Sequence, residues 1–305
     1  MDQRIVHFAS EAVPFSKTGG LADVLGALPG AEATLGGDVT VVIPAHRATV
    51  DDKVPGEAIG VIDALGLRAT VWEARHAGAR VLLLDCPALF VRPTPYLLAG
   101  ANYPDNAIRF SFLIRAGLDW LVREGGVDIV HAHDWQAALA PVLLRHDPIL
   151  ADALGNPRTI LTIHNLAYQG VFPPWALAAC GLDAALFTVE VLEFWGQVSF
   201  LKGGILSADA ITTVSPTYAS EILTPQFGCG LDGVLDRRSD VLTGIVNGLD
   251  TAAWNPAGDS HLPLRFDAAS AATGKRAAGV TLRHELGLVE TGRPMIGMVS
   301  RLIEQ

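Results

Sequence analysis

The sequence predicts an α/β protein built on a doubly wound parallel sheet, and three observations carry that expectation. Seven short, nearly continuous apolar runs alternate with helical patterns, as strands buried on both faces require. Three of these runs end in polar clusters, and such sheets bind ligands beyond the carboxyl ends of their strands. The first run feeds a lysine-bearing, glycine-rich turn, Lys17-Thr18-Gly19-Gly20-Leu21, that opens a helix.

The strands are expected over residues 4–10, 38–44, 80–86, 127–132, 158–164, 210–215 and 242–247, each an apolar, β-branched run bounded by polar or turn residues. Helical patterns fill residues 21–35, 105–123, 135–145, 194–207 and 216–223, the last with Ser215 as N-cap and Pro216 at the first helical position. The Pro- and Gly-rich stretch 87–105, with Tyr96, Asn102 and Tyr103, reads as an ordered surface flap. An Ala-rich helix is expected over 268–286 and a new strand over 295–299, so the chain divides into a domain over 1–260 and, over 261–305, a linker helix with the first strand of a truncated second domain. A lone strand at the end of a chain leaves backbone groups unpaired, which makes the sequence read as a fragment.

Composition narrows the function. Of the 305 residues 50% are hydrophobic and 18% charged, which favours a large buried core over disorder. With 22 basic and 32 acidic residues the net charge is −10, which disfavours nucleic acid and anionic membrane as partners, so an anionic ligand needs a local positive site. Cys86, Cys180 and Cys229 are odd in number and far apart, as expected of buried free thiols in a reducing compartment. The N-terminus lacks a signal-peptide pattern and no apolar run reaches the ~20 residues of a membrane span, so the expected location is cytoplasmic.

A glycine-rich turn at a helix N-terminus offers backbone N–H groups and the positive end of the helix dipole to an anion. Gly19 and Gly20 are expected to reach φ > 0 and let the backbone approach a diphosphate, with Lys17 supplying a point charge. The spacing fits neither a P-loop nor a dinucleotide fingerprint. The remaining strand ends carry His131-Ala132-His133-Asp134, His164-Asn165 and Asn247-Gly248-Leu249-Asp250. Asp134 fits either a ligand contact or the cap of the helix after it, and Asn247-Gly248 also fits a plain turn. His131, His133 and His164 lack the partners of a zinc motif and read as core or substrate-facing residues, with no metal. No GxSxG elbow or Walker lysine supports a serine hydrolase or an NTPase. The residues alone thus reach an α/β protein that binds a phosphorylated, sugar-containing ligand.

Six ordered strings go further: KTGGLADVLGALP (17–29), HAHDW (131–135), TIHNLAYQG (162–170), GQVSFLKGGIL (196–206), ADAITTVSPTYA (208–219) and NGLD (247–250). Together they closely resemble bacterial glycogen synthase and plant starch synthase, the ADP-glucose-dependent glucan synthases. The resemblance implies the N-terminal Rossmann-like domain of a GT-B glycosyltransferase. It also implies transfer of glucose from ADP-glucose to the non-reducing end of glycogen or another α-1,4-glucan, with retention of configuration and without metal or cofactor. The alternative from another class is a non-catalytic module that binds glucan or nucleotide sugar.

Carried over by motif, Lys17, Gly19, Gly20, Asp23, Asn247 and Arg301 are expected on the donor side. His164 is expected at the transferred glucose, Asp134 beside it in the catalytic cleft, and Glu11 and Tyr96 on the acceptor side. The resemblance likewise implies a lysine and a complete second domain after Arg301, so a chain ending at Gln305 is expected not to turn over by itself. Gln136, Trp195, Ser207 and the pair Phe90-Val91 depart from the family pattern and touch acceptor-side detail.

Overall fold

The computed structural model describes residues 3–251, 254–289 and 292–299. The chain divides into two compact units, residues 1–247 and 248–305.

The first unit runs β1 (Arg4–Phe8), α1 (Gly20–Thr34), β2 (Asp38–Pro44), β3 (Glu57–Ala64), β4 (Leu67–His76), β5 (Ala79–Asp85) and a short α2 (Pro87–Phe90). A small hairpin of β6 (Leu97–Leu98) and β7 (Ala101–Asn102) precedes α3 (Asn106–Arg123), β8 (Ile129–His133), α4 (Asp134–Ala137), α5 (Leu139–His146), α6 (Pro148–Ala153) and β9 (Arg158–Ile163). Then come β10 (Val171–Phe172), α7 (Ala176–Ala179), β11 (Glu193–Phe194), β12 (Gln197–Ser199), α8 (Phe200–Ser207), β13 (Ala210–Thr213), α9 (Pro216–Glu221), α10 (Asp232–Asp236) and β14 (Leu242–Gly244).

The sheet has nine strands in the order β14-β13-β9-β8-β1-β2-β5-β4-β3. From β14 to β5 every pairing is parallel, which matches the expected doubly wound, Rossmann-like fold. The β3–β4 and β4–β5 pairings are antiparallel, an edge the purely parallel expectation omits. Burial explains the omission: β3 is exposed at five of its first seven positions, so it lacks the apolar run that marks the central strands. The expected helix over 194–207 is also corrected. Its first part pairs as the β11–β12 hairpin, Ser199 caps the helix by accepting from the Lys202 N–H, and only Phe200–Ser207 is helical.

Alternation along β2 and β5 proves that both faces are covered. Val42, Leu82 and Leu84 join the larger core with α3, while Val41, Ile43, Val81 and Leu83 join a smaller core with Leu25 of α1. Helix α3 lies close against β1 because Gly117 faces Phe8: a Cβ there would sit 2.4 Å from the Phe8 ring. Gly117→Ala is therefore expected to lower stability by ~1–3 kcal/mol through overpacking, less up to ~1 kcal/mol of regained helix propensity. A lower urea midpoint with unchanged slope would display it.

Within the second unit, α11 (Ala271–Glu285) is the regular element, and Gly274 packs under the Phe266 ring where a Cβ would approach to 2.3 Å. The strand expected over 295–299 does not form; these residues have no regular secondary structure. All three cysteines are free, but Cys229 is exposed, contrary to the expectation for that residue. Among the described residues no helix is long and apolar enough to cross a membrane.

Candidate functional site

Sheet order places the direction change between β1 and β8: β1 continues through α1 to β2 on one side, while β8, β9, β13 and β14 extend the other. A doubly wound sheet opens its ligand crevice at such a switch point. The carboxyl end of β1 carries Ser10 and Glu11, that of β8 carries His133 and Asp134, and that of β9 carries His164.

Glu11 is only 2% exposed and holds the lysine turn from beneath. Its Oε2 accepts from the Thr18 backbone N–H at 2.6 Å and from the Thr18 hydroxyl at 2.8 Å. Burial raises its pKa, and the hydrogen bonds from Thr18 partly oppose that rise. Lys17 Nζ donates to Asp23 Oδ1 at 2.6 Å, with the two side chains 55% and 57% exposed. An exposed pair of this kind contributes little to stability, so an anionic ligand can draw the ammonium away from Asp23 at small cost.

The expected left-handed glycines are not observed. Gly19 is extended at φ −157°, and Gly20 lies outside the positive-φ set. Their contribution is open space: a Cβ on Gly20 would meet nothing within 4 Å, and one on Gly19 only the Glu11 carboxylate at 4.0 Å. Among the described residues no side chain caps α1 at Gly19, which leaves the first N–H groups of this 15-residue helix to an anion.

Asp134 does not cap the helix after it. At φ 55° it turns its carboxylate onto the neighbouring strand end, where Oδ1 accepts from the backbone N–H of His164 at 2.7 Å and of Asn165 at 3.3 Å. Burial pushes its pKa up to about 7, against the pull of those two N–H groups. His164 is brought down to about 4 by burial and is therefore neutral near pH 7.

Behind His164 stands a column of imidazoles. The ring centroids of His131 and His133 are 4.2 Å apart, His7 is 4.8 Å from His131, and His164 is 5.3 Å from His133. His7, His131 and His133 offer ring nitrogens within 4.8 Å of one another, the geometry of a metal cluster. Both nitrogens of His7 and of His133, however, already lie in hydrogen bonds, and His131 Nε2 pairs with Thr162 Oγ1 at 2.6 Å. His7 is the member that strand reading overlooked, because a single histidine within an apolar run reads as an interruption. The register His7↔His131 of the parallel pair β1–β8 is what joins them.

Tyr96 sits at the base of the flap, its hydroxyl 2.7 Å from Ser10 Oγ. It is packed against the core, where burial raises its pKa. Beside it the fully buried Arg109 donates to the carbonyls of Leu89 and Pro95, tying the flap to α3. Asn247 lies exposed just beyond β14, at the other end of the sheet's parallel half. Arg301 lies outside the described residues.

Comparison with known proteins agrees with this geometry. Residues 4–237 match the family described as the starch synthase catalytic domain. A glycogen synthase 2 of Geobacter sulfurreducens is 44% identical over 99% of this chain and 64% of its own length. A glycogen synthase of Anaeromyxobacter dehalogenans is 46% identical over the same two shares, so the chain spans about 64% of the length of these relatives. Among solved structures, the catalytic domain of starch synthase IV from Arabidopsis thaliana bound to ADP and acarbose has a TM-score of 0.85 at 33% identity, over 100% of this chain and 64% of that one.

Proposed function

The chain belongs to the starch synthase catalytic domain family, and on that premise we propose that it carries the N-terminal part of a glucan synthase. The complete protein transfers glucose from ADP-glucose to the non-reducing end of an α-1,4-glucan with retention of configuration, in the cytoplasm. One observation supports the reading: the neighbouring strands β1, β8 and β9 lead into the Glu11-held lysine turn, Asp134 and His164 respectively.

In the proposed reaction the acceptor hydroxyl oxygen bonds to the anomeric carbon as the bond from that carbon to the diphosphate oxygen breaks. The acceptor proton passes to the departing phosphate, on the same face, through an oxocarbenium-like state. Neutralising that phosphate is then the main duty, and Lys17 with the first N–H groups of α1 performs it, helped by Asn247 on the donor side. Asp23 is the counter-ion that Lys17 exchanges for the donor. Glu11 acts by holding the turn, Tyr96 by anchoring the flap, and Asp134 by fixing the backbone at His164.

Labelled glucose should pass from ADP-glucose to glycogen in the presence of the full-length protein. Lys17→Ala is expected to weaken donor use by roughly 10- to 150-fold, the ~1.5–3 kcal/mol of a charge-assisted hydrogen bond. Absence of transfer overturns the reading; so does transfer with an undiminished response to ADP-glucose in the variant.

A further inference from the structure

A continuous hydrogen-bond chain runs from helix α1 to His164. Glu32 Oε2 lies 2.6 Å from His7 Nε2, His7 Nδ1 lies 3.0 Å from His133 Nε2, and His133 Nδ1 lies 3.0 Å from His164 Nε2. Three of the four groups sit at or beside the switch point, while Glu32 is on α1, partly open to solvent. The chain crosses β1 and β8 through their ring column and ends on the residue assigned to the transferred sugar.

We infer that Glu32 is a positioning residue which, through His7 and His133, fixes His164 as its Nε2–H tautomer and leaves Nδ1 as a bare acceptor. With each of the three rings carrying a single N–H, the direction follows from proton counting. A carboxylate only accepts, so His7 Nε2 donates to it. A neutral imidazole carries one N–H, so His7 Nδ1 is bare and accepts from His133 Nε2–H. By the same step His133 Nδ1 is bare and accepts from His164 Nε2–H. Neutrality of the two downstream rings is supported by their surroundings, since burial holds His164 near 4 and burial with the neighbouring histidines holds His133 well below the ordinary imidazole range.

His164 Nδ1 has no hydrogen-bond partner among the described residues. In this tautomer it accepts a hydrogen bond from a hydroxyl and donates none. The ligand group it selects is thus a hydroxyl donor, such as a sugar hydroxyl, over a carbonyl or phosphate oxygen. That selectivity rests on the function proposed above; the relay itself does not.

The test is nitrogen-15 NMR of the protein labelled at histidine, recorded at pH 8, above the usual imidazole range, with two-bond couplings reporting which ring nitrogen bears the proton. His7, His133 and His164 are expected as Nε2–H. Glu32→Lys replaces the acceptor with a donor and is expected to reverse all three to Nδ1–H. Glu32→Gln keeps a carbonyl oxygen and should preserve the original set. If Glu32→Lys fails to fold, Glu32→Ala should leave His164 as a mixture of tautomers. Finding His164 as Nδ1–H in the unaltered protein overturns the relay, since its Nε2 would then accept from His133 and the chain would run in the opposite direction. An unaltered His164 beside a reversed His7, or a pure Nε2–H His164 in Glu32→Ala, overturns it equally. Loss of the relay would leave glucose transfer to be judged by its own assay, and failure of transfer would leave these spectra unchanged.

Discussion

In the full-length protein His164→Ala is expected to lower kcat by ~10²–10³-fold, the range for removing one group that meets developing charge, with a much smaller change in KM for ADP-glucose. The position is over-determined without the ring. The Asp134 carboxylate holds the backbone N–H of His164, and Thr162, two residues earlier, pairs in register with His133 and Thr212. Removing the imidazole therefore leaves the strand end and the lysine turn in place, and donor affinity with them. The loss should fall on an interaction that strengthens between ground state and transition state, and such losses appear in kcat and kcat/KM together. Because burial keeps the ring neutral down to about pH 4, His164 should not impose a limb on the kcat profile above pH 5. His164→Asn places an acceptor oxygen near the former Nδ1 and should recover part of the loss, whereas His164→Gln reaches toward the Nε2 side and should not. A raised KM at constant kcat would instead make His164 a uniform binding contact.

What the sequence discloses of this site depends on how local each signal is. The strand ends His133-Asp134 and His164-Asn165 and the lysine turn were legible because polar residues abruptly close apolar runs. Their supports were not. Glu11 is one residue past an ordinary strand, and its purpose appears only when Thr18 folds back onto it. Glu32 reads as a solvated helix residue 25 positions from His7, and only the packing of α1 on the sheet brings them together. The same holds for the fold. Strands buried on both faces announce themselves by continuous Val, Ile and Leu, as in Asp38–Pro44 and Ala79–Asp85. The β3–β4 edge mixes exposed and buried positions around a turn at Leu65-Gly66, both at positive φ, and offers no such run. The left-handed Asp134 was equally hidden: an aspartate before a helix ordinarily caps it, and here the backbone twist turns it to β9 instead.

Asp134→Asn should change how stability depends on pH. The buried carboxyl has its pKa raised from 3.8 to about 7, chiefly by desolvation and further by the nearby Glu11 charge, with the His164 and Asn165 N–H groups opposing. A carboxyl whose pKa is higher folded than unfolded contributes stability that is complete below about pH 4 and is lost as pH rises through about 7. Across that window the loss is at most on the order of 3–4 kcal/mol, three pK units at 1.36 kcal/mol each. Asparagine keeps the accepting oxygen for both N–H groups and does not titrate. Urea unfolding followed by tryptophan fluorescence should therefore show the variant gaining on the unaltered protein from pH 4 to pH 7 and holding that gain above it. Glu11, also raised by burial, contributes in the same sense to both proteins and cancels from the difference between them. A difference between the two proteins that stays constant over the window would give Asp134 an ordinary pKa and remove desolvation as its dominant influence. Asp134→Ala separates charge from hydrogen bonding: it abolishes the titration but leaves the His164 and Asn165 N–H groups without their acceptor, at ~1–3 kcal/mol for each buried donor left unsatisfied. If alanine proved as stable as asparagine at pH 7, the hydrogen bonds to the backbone of His164 would be carrying no load, and the role of Asp134 in fixing that strand end would fall with them.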